Sequence, residues 1–252
     1  MQLSKVILLA AGRGERMRPL TDTTPKPLLT VNGVPLLSYH IRALAGSGYA
    51  NAIINTAWLE DQIISYYSLS SSNSNFEVAE ILNNFEITFS REGSDFGYAL
   101  ETAGGIIRAL SRLERCFWAI AGDIYVPGFD FHPSHMAKFE KSPYLAHLFL
   151  VPNPAHNPRG DFGISANGAA LNLNKDSKEE MFTYSSIGLY KKTFFERPIN
   201  TIAVGNAGGV KVALAPLLRT AMDLGLVSAE LLLSPWTDVG TPSRLHQLNA
   251  VN

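Results

Sequence analysis

Leu8-Leu9-Ala10-Ala11-Gly12-Arg13-Gly14-Glu15-Arg16-Met17-Arg18-Pro19-Leu20-Thr21, with Pro25-Lys26-Pro27 close behind, sets a glycine-bearing, arginine-rich turn directly after an apolar run. Val6 to Ala10 reads as a short buried strand. The small residues Ala11, Gly12 and Gly14 let backbone N–H groups approach a ligand that a larger Cβ would hold away. Arg13, Arg16, Arg18 and Lys26 supply positive charge within one loop, so the turn is suited to phosphates. Two other phosphate loops are disfavoured by spacing. No Gly-Lys-Ser/Thr closes the turn, as the P-loop of nucleotide hydrolases requires, and Met17 stands where the dinucleotide fingerprint needs its third glycine or alanine.

Outward from this turn, apolar runs alternate with amphipathic patterns. Val6–Ala10 is strand-like, Leu36–Ala45 helical, Ala52–Thr56 strand-like and Glu60–Tyr67 helical, the βαβα order of a parallel sheet covered by helices. Ser68 to Asn75 is polar and reads as a surface loop. A third helical pattern starts near Thr102 with Gly104 and Gly105 in its first turn, where glycine weakens a helix and suggests close approach of a ligand. Strand-like Phe117–Ala121 follows and ends in Gly122-Asp123, which puts a carboxylate at the carboxyl end of a central strand, where α/β sheets bind ligands. From Pro127 to Gly168 the chain is rich in proline and glycine around one strong strand, Ala146–Val151. Short strands and loops through Tyr190 suit a smaller substrate-facing subdomain. Helical patterns return at Val212–Leu224 and Ser243–Asn249, the latter with Thr241 as N-cap and Pro242 at the first helical position.

Composition narrows the partners. In 252 residues with 46% hydrophobic content, 21 basic and 22 acidic side chains leave a formal charge of −1. Such a balance offers no field suited to nucleic acid or an anionic membrane surface, so the basic turn is a local device for a small anion. The single cysteine, Cys116, can neither staple the chain internally nor build a thiolate metal site. The apolar run after Lys5 leads straight into Gly-Arg-Gly-Glu-Arg rather than a cleavage site, and no run approaches the ~18 apolar residues of a membrane span, so a cytoplasmic location is expected. The six histidines are scattered, with no pair at metal-ligand spacing on a recognised helix.

Gly-x-Gly-x-Arg-Met-x-Pro-Leu-Thr followed by Pro-Lys-Pro resembles the pyrophosphorylase signature of the sugar-phosphate nucleotidyltransferases. Leu100-Glu101-Thr102-Ala103-Gly104-Gly105-Ile106, Gly160-Asp161-Phe162, Phe182 to Gly188 and Trp236-Thr237-Asp238-Val239-Gly240-Thr241-Pro242 are similar to the N-acetylmuramate α-1-phosphate uridylyltransferase branch. The likeness spans nearly the whole chain. It implies an α/β fold: a Rossmann-like mixed, mostly parallel sheet flanked by helices, with a small substrate-facing subdomain. One domain over 1–252 is expected, with a nucleotide-binding half at 1–126 and a sugar-binding half plus C-terminal helices at 127–252.

The resemblance also implies UTP and a sugar 1-phosphate as substrates, Mg²⁺ as cofactor and a place in cell-wall sugar recycling. It places Lys26 on the α-phosphate or sugar phosphate, Arg16 on the β- and γ-phosphates through its bidentate fork, and Asp123 and Asp238 on the metal. Nucleotide contacts are expected from Ala11, Gly12, Gly14, Glu15, Ala121 and the segment Glu92 to Gly105, with Glu92 and Glu101 both candidates to read the base. Ala121 departs from the branch pattern, which favours Asn before Gly-Asp, as does Ala103, where the branch favours Gly. Asp161, Tyr184 and Ser185 fall in motifs of the sugar-facing half. Arg159 offers a cation for the lactyl carboxylate that separates N-acetylmuramic acid from N-acetylglucosamine. A guanylyl- or thymidylyltransferase acting on a hexose 1-phosphate, or a catalytically silent sugar-nucleotide-binding subunit, are the alternatives; retention of Arg16, Lys26, Asp123 and Asp238 weighs against silence. Oligomeric state is left open.

Overall fold

The computed structural model describes residues 4–68, 84–174 and 176–250. The loop expected at 68–75 lies outside these residues apart from Ser68. In chain order the strands are β1 Ser4–Leu9, β2 Thr30–Val31, β3 Val34–Pro35, β4 Asn51–Thr56, β5 Glu86–Arg91, β6 Leu113–Ala121, β7 Ile124–Tyr125, β8 Ala146–Val151, β9 Phe162–Ile164, β10 Ala170–Leu171, β11 Met181–Lys191, β12 Val227–Leu231 and β13 Thr237–Asp238. The α-helices are α1 Leu20–Thr23, α2 Leu36–Gly46, α3 Glu60–Tyr67, α4 Glu92–Phe96, α5 Glu101–Ala109, α6 Pro133–Lys141, α7 Leu214–Asp223 and α8 Pro242–Ala250.

Nine of these strands form one sheet among the described residues. β5, β4, β1 and β6 run parallel, β11 is antiparallel to β6 and to β8, and β12 lies parallel to β8. The expected mixed, mostly parallel sheet is therefore present. Period-two alternation divides the core between its faces. Val6, Leu8, Ala10, Trp118 and Ile120 pack with Leu37, Ile41 and Phe149 on one side, while Ile7, Phe117 and Ala119 pack with Ile106, Ile107 and Leu218 on the other.

The topology fixes where a ligand can sit. β1 has β4 on one side and β6 on the other, so chain connections leave its carboxyl end in opposite directions and open a crevice there. The register brings Leu9 beside Ala121, and the Gly122 N–H donates to the Leu9 carbonyl at 2.8 Å. The glycine turn after β1 and Asp123 after β6 thus share one edge of the sheet.

Several elements escaped the sequence pattern, β5, α4, α6 and β12 among them. β5 alternates poorly, and α6 lies inside the stretch rich in proline and glycine. His132 caps α6 by accepting from the Ser134 N–H at 3.2 Å, and Pro133 takes the first helical position, where its missing N–H costs nothing. The last helix starts as expected: Pro242 is its first residue, and the Arg244 N–H reaches the Thr241 hydroxyl at 3.4 Å.

Candidate active site

The crevice is a cleft of about 750 Å³ lined from the phosphate-type turn by Ala11, Gly12, Gly14, Glu15, Arg16 and Lys26, and from β6 by Ala121 and Asp123. Gly14 holds the turn with φ +69°, and a Cβ there would stand 3.0 Å from the Thr21 methyl and 3.3 Å from the Lys26 Cβ. Its carbonyl accepts from the Met17 N–H at 2.8 Å and from the Thr21 hydroxyl at 2.9 Å, which tightens the loop into a cup. Arg16 is exposed at this mouth. Arg13 and Arg18 are engaged at the surface, Arg13 with Glu15 at 3.1 Å and Arg18 with Asp22 at 2.8 Å.

Lys26 is 6% exposed between two buried prolines, and its Nζ donates to Asp123 Oδ2 at 2.5 Å. Proline on both sides limits backbone freedom, so the ammonium group is delivered to the end of β6 by a stiff segment. Behind Asp123, His40 is 1% exposed and its Nε2 bonds the Ile124 carbonyl at 3.1 Å. Burial pushes the His40 pKa down to about 4, so the neutral ring donates that bond at neutral pH.

Asp238 reaches the same place from the other end of the chain. β13 pairs with β7, setting Asp238 opposite Ile124, and the Val239 N–H donates to the Asp123 carbonyl at 3.1 Å. The Asp238 side chain stands behind the cleft lining rather than in it: Oδ2 accepts from Arg244 Nη1 at 2.8 Å, with His156 Nε2 at 3.4 Å. Among the described residues no group of three His, Cys, Asp or Glu side chains is placed to hold a metal.

The Glu92 carboxylate is committed to partners within the protein. It is 0% exposed, Oε1 accepts from Asn55 Nδ2 at 2.8 Å and Oε2 from the Leu100 N–H at 2.7 Å; burial pushes its pKa up. Asn55, which the sequence gave no reason to select, completes a chain of bonds by accepting from the Ala10 N–H at 2.8 Å. One buried carboxylate thereby ties together the ends of β1 and β4 and the approach to α5.

Gly105 packs against the same network. Its Cβ would fall 2.5 Å from Glu92 Oε1 and 2.6 Å from Asn55 Nδ2, so the close approach is to this internal network. The Gly104 position likewise packs on the backbone of Val210 and Val212. Glu101 and Thr102, not Glu92, line the cleft from this segment.

Where β9 and β11 border the cleft, Asp161 and Tyr184 line it, and the Asp161 carboxylate is fixed by the Tyr184 N–H at 2.9 Å. Ser185 does not line it: it is 0% exposed and accepts from the Ile187 N–H at 3.2 Å. Ser186, at φ +65°, faces the cleft instead. The strand is irregular here: its register against β8 shifts between Tyr184 and Ile187, and the left-handed backbone at Ser186 re-aims its side chain, a feature that alternation does not announce. Arg159 is exposed and lines a neighbouring cleft of about 800 Å³, outside the first. Ala213, Leu214, Leu218 and Arg219 of α7 and its approach complete the main cleft. Their distance in sequence from every motif hid them.

A family model described as nucleotidyl transferase matches residues 5–251. The chain is similar to the N-acetylmuramate alpha-1-phosphate uridylyltransferase of Neisseria meningitidis serogroup B, with 37% identity over 250 residues, 98% of this chain and 97% of that protein. Among solved structures, the UTP-bound UGPase of Acinetobacter baumannii superposes with a TM-score of 0.75 at 16% identity, covering 99% of this chain and 93% of that one. The inositol-1-phosphate CTP transferase of T. maritima gives 0.68 at 14% identity, covering 99% and 96%. At those identities the two structures speak for the fold alone. No helix among the described residues is long and apolar enough to cross a membrane.

Proposed function

The chain belongs to the nucleotidyl transferase family, and we propose that it transfers UMP from UTP to N-acetylmuramic acid α-1-phosphate, giving the UDP-sugar and pyrophosphate. One observation carries the reading: the Lys26 ammonium meets Asp123 at 2.5 Å inside the cleft into which the Ala11–Gly14 turn opens. The choice of base and sugar rests on the 37% identity, over almost the whole chain, to a uridylyltransferase acting on that sugar phosphate. Such an acceptor fits a role in recycling cell-wall sugars.

The reaction brings two anions together, so positioning and charge neutralisation are the protein's task. An oxygen of the sugar phosphate, already ionised at neutral pH, attacks the α-phosphorus of UTP. A new P–O bond forms as the bond to the β-phosphate oxygen breaks, and pyrophosphate leaves. No side chain need act as a nucleophile. Backbone N–H groups of the Ala11–Gly14 turn cradle the triphosphate, and Arg16 takes its outer phosphates with a planar fork that lysine cannot copy. Lys26, held almost out of solvent, offsets the charge that builds on the reacting phosphoryl group. Asp161 accepts from sugar hydroxyls.

Asp123 and Asp238 are hard oxygen donors joined through adjoining strands and each already faced by a cation, Lys26 and Arg244. That donor set fits Mg²⁺, which binds through one or two carboxylates and completes its shell with phosphates and water. When bound, the ion would supply further neutralisation of phosphate charge.

The test is a panel. ATP, CTP, GTP and UTP are each offered with N-acetylmuramic acid, N-acetylglucosamine, glucose and mannose 1-phosphates, and pyrophosphate release is measured. UTP with the N-acetylmuramic acid derivative should give the highest kcat/KM; a preference for GTP or for a neutral hexose phosphate would replace the reading with a different nucleotidyl transfer.

A further inference from the structure

Arg219 sits on α7 and lines both the main cleft and the adjoining one. Its guanidinium lies over the Phe162 ring, 5.1 Å from the centroid, and donates from Nη1 to Asn172 Oδ1 at 2.6 Å and from Nη2 to the Asp161 carbonyl at 3.4 Å. These are neutral acceptors. Arginine has five N–H donors, so three remain for other partners. Two other partly buried guanidiniums are matched by acids, Arg108 by Asp95 and Arg244 by Asp238, whereas Arg112 donates to the Phe89 carbonyl at 3.0 Å. Among the described residues no carboxylate lies within ion-pair distance of Arg219; Asp223, one turn along α7, instead accepts from Asn172 Nδ2 at 2.9 Å.

A half-buried charge facing a cleft without a counter-ion is costly unless a ligand completes it. The phosphate turn, Lys26 and Asp123 occupy another part of the same lining. Phe162 and the Asp161 backbone aim the guanidinium, and a planar, pre-aimed fork suits a carboxylate. The adjoining cleft carries amides (Asn153, Asn157, Asn172) together with the acids Asp161, Glu179 and Glu180, so within it a carboxylate is held against Arg219 rather than deeper along the wall.

We propose that Arg219, in place of Arg159, is the residue that selects an acceptor carrying a carboxylate: the acid on the sugar's ether substituent pairs with the guanidinium at the wall between the two clefts. The inference rests on the acceptor proposed above. It makes Arg219 a specificity determinant with no part in the phosphoryl step. The neutral partners Asn172 and Asp161 hold the guanidinium in position while leaving its charge available.

The experiment couples a substitution to a change in the acceptor. Wild type, Arg219→Met, Arg219→Lys, Arg159→Met and Asn172→Ala are assayed with UTP and N-acetylmuramic acid 1-phosphate, and with the same sugar bearing a methyl ester on its lactyl carboxylate. Thermal melts identify any variant that fails to fold, in which case Arg219→Lys carries the comparison. In wild type, esterification should lower kcat/KM by about 10–100-fold, the size of one lost charge-assisted contact. In Arg219→Met the free acid should fall by a similar factor, and esterification should then matter little. Arg219→Lys should lie between, KM for UTP should hold in all, and Asn172→Ala, which frees the guanidinium, should lower the acid more than the ester. An unchanged acid-to-ester ratio in Arg219→Met, or loss of the ratio in Arg159→Met instead, overturns the assignment. Absence of pyrophosphate from wild type with the free acid would sink the proposed acceptor itself, a separate failure.

Discussion

Replacing Glu92 by Gln removes one negative charge and changes no volume, yet the structure makes it a severe change. Two donors, Asn55 Nδ2 and the Leu100 N–H, end on separate oxygens of a carboxylate that is 0% exposed. Glutamine offers one oxygen and an NH₂ group, so whichever way it turns, one buried donor meets another donor. An orphaned buried donor costs about 1–3 kcal/mol. For a chain of this size about 2 kcal/mol corresponds to a fall in Tm of roughly 4–8 °C. The functional consequence follows the bonds: Asn55 holds the Ala10 N–H at 2.8 Å, at the start of the phosphate turn, so KM for UTP should rise more than KM for the acceptor. Differential scanning calorimetry and steady-state kinetics on the folded variant provide both numbers. A Glu92→Gln protein with unchanged Tm and unchanged KM for UTP would refute the network as the support of the nucleotide end.

Acid should destabilise the fold through His40. Its folded pKa, about 4, lies below the ordinary 6.5, so the folded state binds fewer protons and stability complete above about pH 6.5 is lost as pH falls toward 4. At pH 5 the loss is about 2 kcal/mol, and urea titrations should show His40→Asn with a flatter pH dependence between 6.5 and 5; equal slopes would remove His40 from the account. Glu230, whose pKa the His147 hydrogen bond lowers, adds a further loss at more acidic pH. Asp123→Asn and Asp238→Asn should each lower kcat by several orders of magnitude and weaken Mn²⁺ binding read by electron paramagnetic resonance, and unaltered metal affinity in either would take that carboxylate out of the proposed site. Lys26→Ala should slow single-turnover chemistry while Arg16→Lys weakens UTP binding in calorimetry; identical defects in both would deny them separate roles.

The parts legible in the sequence were those in which chemistry and local structure coincide. A strand followed by small residues and arginines announces a tight turn that lines the cleft, and Gly122-Asp123 after an apolar run announces a carboxylate at a strand end. Lys26 could be aimed because prolines flank it. What escaped depends on contacts between distant segments. Asn55 is one polar residue at the end of an apolar strand, and Arg219 one charge on an amphipathic helix; nothing in their neighbourhoods marks them. Glu92 was visible as a carboxylate in the right segment, but its direction is set by Asn55, 37 residues away, and by the Leu100 N–H. Gly104 and Gly105 suggested close approach of a ligand, and the atoms that crowd both positions belong to the protein, which the sequence could not say. Helix α6 was missed because its proline counts as a breaker unless His132 is recognised as the cap before it.

The most direct measurement is the ³¹P NMR spectrum of the protein incubated with UTP, N-acetylmuramic acid 1-phosphate and Mg²⁺. Equal growth of pyrophosphate and of a paired UDP-sugar signal, with loss of the sugar 1-phosphate resonance and its abolition by Lys26→Ala, is the predicted result. Release of inorganic phosphate with the sugar 1-phosphate untouched, or identical spectra with and without Lys26, would contradict nucleotidyl transfer at this cleft.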